Sequence, residues 1–364
     1  MNAEIEPLLA GPRGRRMCLQ LAAELDPDVS MAVFRLGYEL DPGKGTSPVM
    51  FGLMSPEETH NDADEDDAGV PVVTSPEELA ASLRCLDFSG LSNELIQPAL
   101  ETAVDTARYW QAPDGEDVLA ALPVIREALV PLAARVLATP AMQHAAAPRG
   151  TEQWAVDWRG PDDPAPLDQD PQQKLAQWGR NIRAEEMKWK ESARGPDCSG
   201  PWWSIPLGLV GTVGSIPAGL NLIEDSPGWK DATTIPVRGA GRTYEIRAED
   251  DWTALCRNFP LEVTASRRND WFRVTGRDGR WLIPDWERVA GEWDAVHLST
   301  LGYLSSAARA LHLDEEWASV IAGWDPDRTI WLTDVVRETG SPRQHWHRPQ
   351  HGDAWTLVEE DEVN

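Results

Sequence analysis

Apolar residues recur at helical spacing through most of the first 145 residues. Between residues 4 and 40 this spacing is interrupted once, at Asp26-Pro27. Residues 74–78 have the features of a helix start: a hydroxyl cap, a proline in the first turn and acidic side chains near the positive end of the helix. Helical spacing continues over 79–86, 95–110 and 117–137. The pattern predicts a mainly helical domain over 1–145, which we interpret as regulatory or partner-binding.

The hydrophobic pattern changes to alternation after residue 150. Residues 144–150, with Pro148 and Gly150, have the composition of a boundary. Tryptophan use changes there too, because only Trp110 of the 18 tryptophans precedes residue 151. Strands are predicted at 154–158, 202–204, 220–223, 242–247, 261–265, 271–274, 281–283, 295–298, 319–322 and 329–332, with a hairpin turn at 276–279. Helices are predicted at 172–190, 250–258, 284–290 and 305–311.

These patterns predict an α+β fold. A helical N-terminal domain precedes a tryptophan-rich, mainly antiparallel sheet domain over 151–340, and 341–364 forms a polar acidic tail. Short strands are also predicted at 49–53 and 70–73. Between them, 57–67 carries seven acidic side chains, which is typical of a solvated, self-repelling loop.

The charge of the chain restricts its partners. A formal net charge of −27 disfavours binding to a nucleic-acid backbone or to an anionic membrane surface, because like charges repel. No apolar run is long enough to span a membrane. The four cysteines are scattered without metal-ligand spacing, which favours reduced thiols and a cytoplasmic location.

The stretch Gly200-Pro201-Trp202-Trp203-Ser204 places two indoles directly before a serine. Trp158-Arg159-Gly160 precedes it and Thr243-Tyr244-Glu245 follows it. This order resembles the Arg–Ser–Glu constellation of mono-ADP-ribosyltransferases over about 151–260. The chain departs from that pattern after Ser204, where Ile205-Pro206 follows, and at Thr243, where the family often has Glu or Gln.

The resemblance implies a role for each residue in cleaving NAD. Arg159 would contact the pyrophosphate, since a guanidinium makes bidentate contacts to phosphate. Trp202 and Trp203 would stack on the nicotinamide. Ser204 would orient Glu245, the carboxylate that stabilises the positive charge developing on the ribose. The resemblance therefore implies an NAD-dependent transferase or NAD glycohydrolase.

Each of these residues also has a structural interpretation. Arg159 can form a surface ion pair, and Trp202 and Trp203 can belong to the core. Glu245 alternates with apolar neighbours, so it can face solvent, and Glu224 is a competing acid. The alternative hypothesis is a non-enzymatic interaction module with a tryptophan-rich surface that binds a protein partner.

Histidines supply the remaining candidates. His297 lies in an apolar run and is either a hydrogen-bonded core residue or an acid–base group, with Asp285, Asp294 and Ser299 near it in sequence. The segment with His345, His347 and His351 has metal-ligand types, although its polar setting disfavours a fixed geometry. Trp324 and Trp331 are predicted to be buried on strands that flank a turn at 325–327.

Overall fold

Helices make up most of the described part of the chain before residue 145. The computed structural model describes residues 5–45, 75–159, 167, 170–191 and 200–358. The predicted strands at 49–53 and 70–73, the acidic segment 57–67 and the acidic residues after 358 lie outside these ranges. The first nine helices are α1 (Ile5–Ala10), α2 (Pro12–Leu25), α3 (Pro27–Leu40), α4 (Pro76–Arg84), α5 (Asn93–Asp105), α6 (Gly115–Ala121), α7 (Pro123–Ala128), α8 (Val130–Leu137) and α9 (Pro140–His144).

Local sequence explains where several of these helices start. Asp26 ends α2 and caps α3, because its carboxylate accepts the backbone N–H groups of Asp28 and Val29. Ser75 and Glu78 form a reciprocal capping box at the start of α4. The helix start predicted at 74–78 is therefore confirmed.

The described residues after 150 form two sheets. The strands are β1 (Glu152–Asp157), β2 (Gly211–Val213), β3 (Asp231–Gly239), β4 (Thr243–Ile246), β5 (Pro260–Glu262), β6 (Arg280–Pro284), β7 (Ala295–Leu298), β8 (Leu311–His312), β9 (Trp317–Ser319), β10 (Arg328–Trp331), β11 (Val336–Glu338), β12 (Gln344–His347) and β13 (Thr356–Val358). The larger sheet has the order β13-β12-β3-β1-β2-β10-β7-β4, with β11 also paired to β3. All its pairs are antiparallel except β4 with β7. The smaller sheet has the order β5-β6-β9-β8.

Among the described residues, the strands are accompanied by the helices α10 (Pro171–Glu191), α11 (Ala218–Asn221), α12 (Glu249–Asn258), α13 (Thr264–Thr275), α14 (Trp286–Val289) and α15 (Thr300–Ser306). The α+β class is confirmed, with helices first and sheets later. None of the helices within the described ranges is both long and apolar enough to cross a membrane.

Several predicted strands are wrong. Residues 202–204 have no regular structure, and of 220–223 the first two residues end α11 and the last two have no regular structure. The run 271–274 lies in α13, and Gly276 ends that helix with a φ of 70°, so the glycines at 276–279 join a helix to β6 instead of forming a hairpin. Short apolar runs do not distinguish a strand from a buried helix, which explains these errors.

Two elements lie in the segment predicted to be a polar tail. β12 pairs with β3, and β13 pairs with β12, so residues 344–358 extend the larger sheet. The side chain of Trp355 is buried against Leu220 and Ala232. Trp324 and Trp331 are buried, as predicted, although only Trp331 lies on a strand.

One hydrophobic cluster joins the helices to the sheets. It contains Leu8 and Met17 from the first two helices together with Trp252, Trp286 and Trp324. The three indoles pack edge to face or tilted, with ring centroids 5.7 to 6.2 Å apart. The predicted boundary near residue 150 marks the change from helix to sheet, and a division into separately folding domains stays a prediction.

Candidate functional site

A cleft of about 420 Å³ lies where the first helices meet α13 and the segment after α15. We call it the arginine cleft, because four guanidinium groups line it: Arg13, Arg15, Arg108 and Arg309. Asp114 and Asp117 are the acidic residues of the lining. The walls between these charges are apolar and include Pro12, Ala112, Pro113, Val118, Leu122 and Val274.

The charge of this cleft contrasts with that of the chain. Four arginines and two aspartates give the lining a formal charge of +2, whereas the whole chain carries −27. The Debye length is about 10 Å at 0.1 M salt, so distant acids affect the cleft less than its own arginines do. A volume of this size also falls within the range of about 300–1,000 Å³ that is usual for small-molecule sites.

Helix α2 brings two of these arginines to the cleft. Its first five residues include Arg13, Arg15 and Arg16, and its first turn has no acidic residue. Cations are unfavourable at this end of a helix, because the peptide dipoles already place partial positive charge there. Carboxylates of Asp114 and Asp117, at the start of α6, balance two of these cations by pairing with Arg16 and Arg13.

Arg13 is the fixed part of the site. Its side chain is 2% exposed and pairs with Asp117. Its Nη1 atom also donates to Ala103 O at 3.0 Å and to Thr106 Oγ1 at 3.1 Å. Burial alone would lower the pKa of Arg13, but Asp117 together with Tyr303 and Tyr109 outweighs burial and raises the pKa.

Arg15 has a different environment. Its Nη1 atom donates to the carbonyl oxygens of Leu9 and Ala10, at 3.0 and 2.7 Å, at the end of α1. No carboxylate among the described residues forms an ion pair with it. Burial lowers the pKa of Arg15 to about 10, and the positive charges of Arg126, Arg13 and Arg309 act in the same direction. Arg15 therefore lies close to other positively charged side chains.

The other two arginines come from the far sides of the cleft. Arg108 follows α5, and its Nε atom lies 2.9 Å from Asp225 Oδ1. Arg309 follows α15 and donates to Ser305 O at 2.9 Å and to Glu249 Oε2 at 2.6 Å. Both side chains are partly exposed, and the carboxylates of Asp225 and Glu249 offset their charges, which leaves Arg15 as the lining arginine without an ion pair among the described residues.

Glu224 is a buried acid close enough to Arg13 for the arginine charge to act on its pKa. Tyr109 OH donates to Glu224 Oε1, and the backbone N–H of Glu224 donates to Asp325 Oδ1 at 3.0 Å. The Tyr303 hydroxyl is buried beside the same carboxylate, and the hydroxyls of Tyr109 and Tyr303 both act to lower the pKa of Glu224. Burial and then the charge of Asp325 raise the pKa of Glu224 to about 8. Glu224 can therefore hold a proton at neutral pH.

A second titratable cluster lies on the larger sheet. His297 on β7 is fully buried; its Nδ1 atom is 2.7 Å from Glu245 Oε2 and its Nε2 atom 3.2 Å from Asp327 Oδ1. Glu245 also accepts the backbone N–H of Arg149 at 3.2 Å. The interpretation of His297 as a hydrogen-bonded core residue is thus confirmed, and Glu245 is one of its two partners.

The other residues of the Arg–Ser–Glu set have partners of their own. Arg159 donates to both carboxylate oxygens of Asp157, at 2.9 and 2.7 Å. Ser204 is fully buried; its hydroxyl accepts the Ala322 N–H at 2.9 Å and lies 3.2 Å from the Ala322 carbonyl oxygen. Trp202 lies between Tyr109 and Trp203 in a row of stacked rings.

The sheet order separates the two ends of that set. Arg159 follows β1, whereas Glu245 is on β4, four strand positions away. Strand spacing places them about 19 Å apart across the sheet. The described contacts therefore do not bring Arg159, Ser204 and Glu245 into one pocket. The NAD-dependent function and the catalytic and cofactor-binding roles stay predictions.

The remaining candidates are held in structural contacts. Ser299 caps α15 by accepting the Gly302 N–H, and Asp294 accepts the Arg242 N–H at 2.7 Å. Asp285 Oδ2 accepts from Arg183 at 2.6 Å. His345, His347 and His351 contact Thr233, Asp231 and Asp105 separately. Within the described residues, no group of three or more His, Cys, Asp or Glu side chains is placed to hold a metal ion.

Sequence reasoning missed the arginine cleft, although one signal for it was present. Arg13, Arg15 and Arg16 lie within the first five residues of a helix, near the end where acidic residues are expected. The other two arginines come from distant segments, and only the fold brings them together. No protein-family model, curated protein or solved structure matches this chain. Function is therefore inferred from the geometry of the chain itself.

Proposed function

We propose that the chain is a ligand-binding protein whose arginine cleft takes a small organic anion. The observation that carries this proposal is the grouping of four guanidinium groups around one cleft of about 420 Å³ in a chain with a net charge of −27. Carboxylates balance three of these groups, whereas Arg15 has no ion pair among the described residues and is the cation that a ligand anion would balance. Guanidinium groups match phosphate and carboxylate geometry, which gives the ligand its charged group.

The apolar walls define the rest of the ligand. Val118, Leu122 and Val274 offer hydrophobic surface between the arginines. An inorganic anion would leave that surface in contact with water, whereas an organic anion would cover it. The ligand class is therefore a phosphate or carboxylate attached to a compact apolar body.

The position of the cleft suggests what binding does. Arg13 and Arg15 come from α2, whereas Val274 comes from α13 and Arg309 from the segment after α15. A ligand that contacts all four residues would link the helical part to the sheet part and stabilise their packing. This supports the interpretation of the first 145 residues as regulatory, and a protein partner that responds to the ligand stays a prediction.

Phenyl phosphate is the probe that tests the proposal, because it combines a phosphate with an apolar ring. Its binding is measured by isothermal titration calorimetry at constant ionic strength in an uncharged buffer. Inorganic phosphate and phenol serve as the matched half-ligands, and each is expected to bind more weakly. Loss of one guanidinium contact, in Arg15→Gln, should weaken binding by about tenfold or more.

Arg337→Gln is the matched control, since Arg337 is exposed and pairs only locally, with Asp334. Its affinity for phenyl phosphate should equal that of the wild type. Equal affinity in wild type and Arg15→Gln would overturn the assignment of the site. If the wild type binds neither phenyl phosphate nor benzoate, the corresponding carboxylate, the proposed ligand class is wrong.

A further inference from the structure

A second cleft, of about 410 Å³, lies against one face of α10. The helix contributes Lys174, Gln177, Trp178, Asn181, Ile182 and Glu185. Their spacing of three, one, three, one and three residues places them on one side of the helix over three turns. The opposite wall is the segment Pro201–Gly208 together with Arg267. We call this the aromatic cleft.

A row of stacked rings ends at this cleft. Tyr109 and Trp202 stack with centroids 5.3 Å apart, and Trp202 and Trp203 stack at 4.6 Å. Trp203 is the last ring of the row, is partly exposed and lines the cleft. Because its partner Trp202 is itself held by Tyr109, Trp203 has a fixed orientation. Trp178 supplies a second partly exposed indole in the same lining.

Polar groups lie beside these indoles. Arg267 is 2% exposed, and its Nε atom donates to Trp203 O at 3.3 Å. Its Nη1 atom has no hydrogen-bond partner among the described residues, and the nearest carboxylate oxygen, Glu185 Oε2, is 4.0 Å away. The carboxamides of Gln177 and Asn181 add donors and acceptors to the same lining. The wall thus combines aromatic faces with polar groups that can bond the edge of a ring.

We propose that the aromatic cleft binds a flat heteroaromatic ring that stacks on Trp203 and bonds the surrounding polar groups through its ring nitrogens and substituents. A ring of this class offers a π-face to the indole and acceptors to the guanidinium at once. A saturated ring of similar polarity lacks the face, and a hydrocarbon ring lacks the acceptors. The proposal is independent of the arginine cleft, since the two linings share no residue.

Adenosine is the probe, and its binding is followed by saturation-transfer NMR and equilibrium dialysis. Saturation is expected on the purine protons, and ribose alone is expected to receive none. Trp203→Leu should weaken adenosine binding by about tenfold or more, because it removes the aromatic face on which the base stacks. Trp203→Phe keeps a ring and should stay within about threefold of the wild type.

Trp229→Leu is the matched control, because Trp229 is also partly exposed and stacked, on Trp158, but does not line the cleft. Its affinity for adenosine should not change. If Trp203→Leu does not fold, Leu207→Ser decides, since Leu207 lines the cleft and is 56% exposed; it should weaken binding by about threefold. The proposal would be overturned if the deciding variant, Trp203→Leu or Leu207→Ser, binds adenosine as tightly as the wild type does. Equal saturation of ribose and purine protons would also overturn it.

Discussion

Glu245 Oε2 and His297 Nδ1 lie 2.7 Å apart on the neighbouring parallel strands β4 and β7. The other ring nitrogen of His297 faces Asp327, so two carboxylates hold one buried imidazole. Burial alone would lower the pKa of His297, but the hydrogen bonds and charges of Asp327 and Glu245 raise it above 6.5. The protonated ring therefore links the terminal strand β4 to the turn before β10.

This arrangement makes stability depend on pH. Because the folded-state pKa of His297 is raised, its stabilisation is fully present below pH 6.5 and is lost as the pH rises through the folded-state pKa. His297→Gln should lower the free energy of unfolding by about 1–3 kcal/mol below pH 6.5, and the difference should narrow at higher pH. Urea unfolding across this range measures it. His144→Gln, at an exposed histidine, should leave the pH profile unchanged, and parallel profiles for wild type and His297→Gln would contradict the prediction.

Glu224 gives a second pH dependence that begins lower. Its folded-state pKa is raised from 4.5 to about 8, so its contribution is fully present below pH 4.5 and is lost between pH 4.5 and about 8. Glu224→Gln keeps an acceptor for Tyr109 but cannot ionise. The variant should be more stable than the wild type at the upper end of this range by about 1–3 kcal/mol, the cost of an unpaired buried charge.

Denaturant titrations below and above pH 6.5 distinguish Glu224 from His297. Of these two groups, only Glu224 makes the free energy of unfolding depend on pH between 4.5 and 6.5. Glu292→Gln, at an exposed glutamate, is the matched control and should follow the wild type. Between pH 4.5 and 6.5, the stability of the wild type should fall more steeply than that of Glu224→Gln. If it does not, Glu224 is charged in the folded protein.

Local patterns predicted those parts of the fold that depend on neighbours in sequence. The helices before residue 145 follow from apolar spacing and from caps such as Ser75. The strands β1, β7 and β10 follow from alternation around Trp154, His297 and Thr329. None of β3 was predicted, because buried Thr233 and Thr234 interrupt its apolar pattern.

The candidate site depends on residues that are distant in sequence. Arg13 and Arg309 line one cleft although 296 positions separate them, the difference of their numbers. Glu245 and His297 were assigned to different candidate sites, because no sequence pattern specifies that β4 and β7 are neighbours. The sequence therefore showed which side chains are chemically able to form a site, but not which of them lie together in the fold.

Burial of the tryptophans predicts large stability losses. Trp324 packs against Trp252 and Trp286, and its Nε1 atom donates to Arg328 O at 3.0 Å. Trp324→Ala should lower the free energy of unfolding by about 3–5 kcal/mol, because it leaves a cavity in the core. Trp110→Ala, at a side chain that is 39% exposed, should cost less than about 1 kcal/mol. Equal losses for the two variants in urea unfolding would contradict the packing.

The segment after residue 340 is predicted to be needed for folding. β12 covers one edge of β3, and Trp346 Nε1 donates to Thr234 Oγ1 at 3.2 Å. Arg348 is 4% exposed and donates to Trp229 O at 2.7 Å. Its guanidinium also lies 4.6 Å from the centre of the buried Trp355 ring. Ending the chain at residue 340 removes all of these contacts and leaves β3 partly unpaired.

The shortened chain should lose at least about 3–5 kcal/mol, the cost of removing one buried tryptophan, and should aggregate through the exposed strand edge. A chain ending at residue 358 is the matched control, because it keeps β12, β13 and Trp355. Thermal unfolding and light scattering compare the two. If the chain ending at 340 unfolds at the same temperature as the control and stays monomeric, residues 341–358 are a dispensable tail and their pairing with β3 contributes nothing measurable.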